Sequence, residues 1–179
     1  MSSSDRPDFI ARSDLVERAY HFALAAHEGE RSRGETRIDH PIAVARLLVR
    51  RGADDQTVAA ALLHDVLEDT TVTRAELEEE FGMGVAELVA ELTEDESIDA
   101  YADRKAQLRQ QVAAAGEQAA TIFLADKLAR LQALEATGQG LAPAKLDHYR
   151  ETVALLSRTY PDLPFIPEVR HALRNARQG

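Results

Sequence analysis

Residues 61–70 read ALLHDVLEDT and bring His64, Asp65, Glu68 and Asp69 within six positions. On a helix turning about 100° per residue these side chains span an arc of about 140°, with Leu63, Val66 and Leu67 on the other side. Carboxylates this close repel one another and raise each other's pKa. No Lys or Arg lies between Gly52 and Arg74 to offset them, so the natural source of positive charge is a bound cation. Histidine offers a neutral nitrogen and aspartate an anionic oxygen, a mixture suited to Mn²⁺, Fe²⁺ or Zn²⁺ rather than Ca²⁺. A divalent cation lowers the pKa of a water it holds. Glu68 and Asp69, one turn beyond the His-Asp pair, are placed to orient or deprotonate such a water in line with a phosphorus atom. Two further ligands are needed, and His40, beside Pro41, and Asp126, an acid inside the apolar run IFLADKL, are the candidates. Each has a plainer reading: Asp126 as the i,i+4 partner of Arg130, His40 as a capping or packing residue, and Glu68-Asp69 as an exposed helix end.

The elements that must position these residues are helical. Asp14 with Glu17 resembles a capping box opening a helix to about His27. Asp39-His40-Pro41 opens a second that stops at Gly52. Asp54 or Asp55 caps one helix carrying the whole ALLHDVLEDT stretch, and Thr73 with Glu76 caps a short one ending near Phe81-Gly82. Helical spacing continues over 84–92 and 101–115, Gly116 interrupts, and 121–134 and 143–158 follow. YPDLPFIP is a Pro-rich connector to a short final helix. Strand signals are nearly absent. The pattern predicts an all-α domain of roughly eight or nine helices.

The chain has 179 residues, enough for one domain with a substantial core. It contains no cysteine, which excludes disulfides and thiolate metal sites. MSSSDRPDFIARSD has no apolar run of signal-peptide length, and no stretch is long and apolar enough to span a membrane. A soluble, cytoplasmic protein is expected. With 21 Lys and Arg against 31 Asp and Glu the formal charge is −10. Such a surface repels nucleic acid and anionic membrane. A local basic pocket is compatible with it: Arg31, Arg33 and Arg37 cluster in ERSRGETR, and with Lys127 and Arg130 they are suited to gather around a polyanion. The partner expected is a small phosphorylated molecule, with homo-oligomerisation left open.

Taken in order, FALAAHEGERSRGE, IDHPIAVARLL, AALLHDVLEDT, FGMGVAELVAELTED and LADKL make the chain resemble the HD-type metal phosphohydrolases, in particular the RelA/SpoT-type hydrolase domain and the small stand-alone alarmone hydrolases. The resemblance covers about 20–134, with 135–179 as C-terminal helices of a single 1–179 domain. It implies an HD-domain helical bundle with one Mn²⁺, or another divalent metal, held by His40, His64, Asp65 and Asp126, and with Glu68 and Asp69 as the catalytic pair. The implied reaction is hydrolysis of the 3′-pyrophosphate of (p)ppGpp, as in the stringent response. Arg31 matches a loop arginine near the nucleotide, and Tyr149, in LDHYRETVALL, is similar to a substrate-side tyrosine.

Several nucleotide-reading positions depart from the family pattern. Arg31-Ser32 stands where Arg-Lys is usual, Thr36-Arg37 where Pro-Tyr precedes the metal histidine, and ADKLAR places Arg130 where an asparagine is common. These changes keep two alternatives in view: hydrolysis of another phosphorylated nucleotide, such as NADPH at its 2′-phosphate or a nucleoside phosphate, and nucleotide binding without catalysis. No synthetic activity is expected. His21 and His27 read as packing or loop-bracing residues, and His148 and His171 receive no role.

Overall fold

The computed structural model describes residues 6–27, 31–32, 35–36 and 38–176, and of 31–32 and 35–36 the backbone alone. The chain forms two compact units, Met1–Ala90 and Glu91–Gly179, whose boundary falls within one helix.

In the first unit a 3₁₀ turn, Asp8–Arg12, precedes α1 (Asp14–Ala26). A two-residue antiparallel pair, β1 (Arg31–Ser32) with β2 (Glu35–Thr36), leads to α2 (Asp39–Arg50). Then come α3 (Asp55–Leu63), the four-residue α4 (Val66–Asp69), α5 (Arg74–Phe81) and α6 (Met83–Leu92). Helix α3 is the centre of this unit: every residue from Thr57 to Leu63 is buried, as expected of a helix apolar on all sides. Its small Ala59, Ala60 and Ala61 let neighbours approach closely, and α1 and α2 both pack on it. They do so through stripes at i, i+3, i+4 and i+7: Val16, Ala19, Tyr20 and Ala23 on α1, and Pro41, Val44, Ala45 and Leu48 on α2. Phe81 at the end of α5 meets Phe22 edge-on at 5.2 Å, and Arg18 lies over the same ring.

The second unit comprises α7 (Tyr101–Ala115), α8 (Glu117–Thr137), α9 (Pro143–Thr159) and α10 (Ile166–Asn175). Helix α7 packs on α8 and α9, and α10 packs on the same two. Gly116, at φ 110°, separates α7 from α8 in one residue, a conformation that disfavours any side chain. Tyr160 Oη donates to the Ala113 carbonyl at 2.7 Å, fixing the end of α9 against α7.

The all-α expectation holds, with local corrections. The N-cap of α1 is Ser13, whose Oγ accepts from Val16 N, and not Asp14. The helix expected to carry ALLHDVLEDT is divided into α3 and α4 at His64-Asp65. Asp54 caps α3, accepting from Thr57 N at 2.7 Å, and the Thr73-Glu76 capping box forms in both directions. Each such cap contributes about 1 kcal/mol.

Candidate metal centre

The division between α3 and α4 is what shapes the first unit's polar cluster. A helix leaves its last four carbonyls without helical partners. One of them, Ala61 C=O, is taken by His64 Nδ1 at 2.8 Å. A carbonyl only accepts, so Nδ1 carries a proton, and Nε2 is the ring nitrogen that faces Asp65. His64 is buried, and its Nε2 lies 3.1 Å from Asp65 Oδ1. At that separation Nε2 and the carboxylate oxygen share positive charge, either a proton on the ring or a cation beside both.

His40 comes from the first turn of α2, where buried Pro41 sets the entry of the helix. Its ring centroid stands 5.5 Å from that of His64. One ligand atom each from His40, His64 and Asp65 lie within 4.8 Å of one another. Donors about 2.1 Å from a single ion are about 3–4 Å apart, so the triad fits one divalent cation with small adjustment. His40 and Asp65 are half-buried and His64 is buried.

Glu68 is half-buried and Asp69 exposed, both on α4. They stand outside the set of mutually close donors among the described residues. Helix α4 is a single turn, and Glu68 and Asp69 are its last two residues, directly before the C-cap Thr70. Thr70 ends α4 by donating its hydroxyl to the Val66 carbonyl at 2.7 Å.

The remaining expected site residues fall in the second unit, outside the described residues or, for Arg31, in β1. Asp126 lies on α8, and Lys127 Nζ donates to its Oδ2 at 2.5 Å. Lys127 is buried, with its ammonium 3.6 Å from the centre of the Phe123 ring and 5.5 Å from that of Tyr149. Its ammonium meets a carboxylate and two rings. Tyr149 is buried on α9, and Arg130 is exposed on α8. Arg33 and Arg37 lie outside the described residues, and Arg31 is described only as backbone in β1.

Two residues that the sequence did not single out belong to the α8–α9 cluster. His148 is buried with its ring edge-on to Phe123 and Tyr149, at 6.0 and 5.7 Å. Arg109 of α7 donates from Nη1 to His148 Nδ1 at 2.9 Å and pairs through Nη2 with Glu151 at 2.6 Å. Burial, and then the charges of Lys127, Lys105 and Arg109, push the His148 pKa down to about 2, against a smaller opposing effect of Asp126. His148 is therefore a neutral acceptor near pH 7. Its partner is 39 positions away in sequence, so no local spacing announced the pair.

A family model described as HD domain matches residues 19–155, running through both compact units. The guanosine-3′,5′-bis(diphosphate) 3′-pyrophosphohydrolase MESH1 of Danio rerio is 38% identical over 137 residues, covering 73% of this chain and 76% of that protein. The guanosine-3′,5′-bis(diphosphate) 3′-pyrophosphohydrolase of Aquifex aeolicus is 39% identical over 125 residues, 68% of this chain and 18% of the relative. The chain thus spans less than a fifth of that longer relative's length. A solved structure of a metazoan ortholog of SpoT that hydrolyses ppGpp superposes with a TM-score of 0.76 at 26% identity, covering 91% of this chain and 96% of that one. A solved Listeria monocytogenes structure gives 0.66 at 28% identity over 75% of this chain and 91% of that one. The chain belongs to the HD-domain family. No helix among the described residues is long and apolar enough to cross a membrane.

Proposed function

We propose that the chain is a divalent-metal-dependent hydrolase that removes the 3′-pyrophosphate of guanosine 3′,5′-bis(diphosphate), leaving GDP and pyrophosphate. The observation that carries this reading is the His64 Nε2–Asp65 Oδ1 approach at 3.1 Å, with His40 in the same cluster, in a stretch that has no basic residue of its own. Relatives bearing that activity in their names, one of them matched over most of its length, support the substrate.

His40, His64 and Asp65 would hold the ion, Mn²⁺ by the chemistry of the donors. Asp126 is assigned as a fourth ligand on its place in LADKL. When bound, such an ion polarises a water and draws charge from phosphoryl oxygens. The chain's own contribution is positional. The Ala61 carbonyl fixes the tautomer and plane of His64. Glu68 and Asp69 orient the water and take the proton it sheds. The water oxygen bonds to the phosphorus next to the ribose 3′ oxygen as the bond to that oxygen breaks, and the departing oxygen ends as the 3′-hydroxyl. Arg31, Arg33, Arg37, Lys127 and Arg130 are assigned to the substrate's phosphates, and Tyr149 to the nucleotide. The two units act as one domain, in the cytoplasm.

The test is incubation of the purified, Mn²⁺-loaded chain with ppGpp and a panel of other phosphorylated nucleotides, NADPH included. Release of GDP and pyrophosphate from ppGpp is expected. Turnover of another member of the panel with none of ppGpp removes the substrate assignment, and no turnover of any removes the enzyme.

A further inference from the structure

The second unit carries a groove of roughly 670 Å³ between α9 and α10. Its floor is apolar, from Leu146, Val153 and Leu173, and its rim is basic, from Arg150, Arg170 and Arg174. All three arginines are exposed. Arg150 has a carboxylate within its own helix, Asp147, at 3.3 Å. Arg170 donates to the Ser157 hydroxyl at 2.8 Å, and Arg174 contacts His171 Nδ1 at 3.5 Å. Neither of these two guanidiniums meets a carboxylate among the described residues. In a chain of formal charge −10, two unneutralised guanidiniums one helical turn apart over an apolar floor form a local site for an anionic surface.

The complementary surface is present on the chain itself. Helix α5, RAELEEEF, exposes Glu76, Glu78, Glu79 and Glu80. Glu76 is consumed by the capping box with Thr73. The carboxylates of Glu78, Glu79 and Glu80 pair with no described residue. Three like charges crowded on one helical turn make a negative surface that a basic partner would offset. Two residues past the helix, Met83 is 60% exposed, an apolar side chain beside an acidic helix end.

We propose that the α9–α10 groove of one copy docks helix α5 of a second copy, with Arg170 and Arg174 meeting Glu78 and Glu79. The overall negative charge does not prevent this, because at physiological salt charges more than about 8 Å apart are largely screened and the local patch decides. An eight-residue helix is about 12 Å long. A contact of that size falls below a standard interface. The association is therefore weak, in the micromolar range or above, and salt-sensitive.

Sedimentation of the full chain across concentrations at low and high salt tests this. Reversible association that weakens at least about tenfold between 50 and 500 mM salt is expected. Arg170→Glu/Arg174→Glu alone and Glu78→Lys/Glu79→Lys alone are expected to sediment as monomers, whereas a mixture of the two variants reassociates because the charges are exchanged together. All four positions are exposed, and unchanged circular dichroism melts accompany the result. A wild-type chain that stays monomeric throughout overturns the proposal. So does association that both variants retain, or a mixture that fails to reassociate.

Discussion

His64 Nε2 and Asp65 Oδ1 face each other at 3.1 Å, the ring held by its other nitrogen to the Ala61 carbonyl. The ring nitrogen and the carboxylate oxygen are fixed side by side where the backbone leaves α3, a pair suited to share a cation. Replacing either residue, as His64→Gln or Asp65→Asn, is expected to weaken Mn²⁺ binding by more than about a hundredfold, beyond what loss of an outer partner costs. Titration calorimetry with Mn²⁺ reads this without reference to turnover. Wild-type affinity in both variants would remove the metal centre.

The same triad couples the ion to folding. A ligand that binds the native chain stabilises it by about 2.7 kcal/mol at a hundred times its dissociation constant. For a chain of this size that raises the melting temperature by about 5–10 °C. Melts with saturating Mn²⁺ and with a chelator should differ by that amount, and His64→Gln should abolish the difference. A chelator effect that persists in His64→Gln would place the stabilising ion elsewhere.

Glu68 and Asp69 stand on α4, outside the close donor set. Removing the carboxylate charge of Glu68 with Glu68→Gln is expected to lower kcat by about 10²–10⁴ while leaving Mn²⁺ affinity within about twofold. The split between the two readouts assigns the role. A parallel loss of metal affinity would make Glu68 a ligand, and unchanged kcat would remove it from the chemistry.

Most of this architecture was legible in the sequence because its signals are local. The Thr73-Glu76 box, Pro41 and Pro143 in first turns, and Gly52 and Gly116 at helix ends each act within a few residues of where they stand, and they mark the elements correctly. His40, His64 and Asp65, which the structure brings within 4.8 Å of one another, were all candidates in the sequence. What periodicity hid was the break at His64-Asp65. Both residues keep α-region backbone angles, so the apolar pattern runs through the break unchanged, and the consequence for Glu68 and Asp69 is seen only in three dimensions. The Lys127 environment was hidden for another reason. Its ammonium lies over Phe123, one turn earlier, but also near Tyr149 on another helix. A charge in sequence reads as surface unless its distant partners are known. Arg109 and His148 were missed on the same ground.

His148 gives the pH prediction. Its folded pKa is depressed to about 2 by burial and by Lys127, Lys105 and Arg109, whereas in the unfolded chain it titrates at about 6.5. Below that value the unfolded state binds the proton and the native state does not, so stability falls as pH falls. The contribution is fully present above about pH 6.5 and is lost progressively toward pH 2. Between pH 6.5 and 5 the loss reaches about 2 kcal/mol, at about 1.4 kcal/mol per unit. His148→Gln keeps an acceptor for Arg109 but cannot titrate. Urea denaturation of both chains at pH 7 and pH 5 isolates the residue, since every other group contributes equally to the two. The wild type is expected to lose about 2 kcal/mol more than the variant over that interval. Equal losses would mean that His148 is protonated as readily in the fold as outside it, and that the Arg109 contact does not hold the ring neutral.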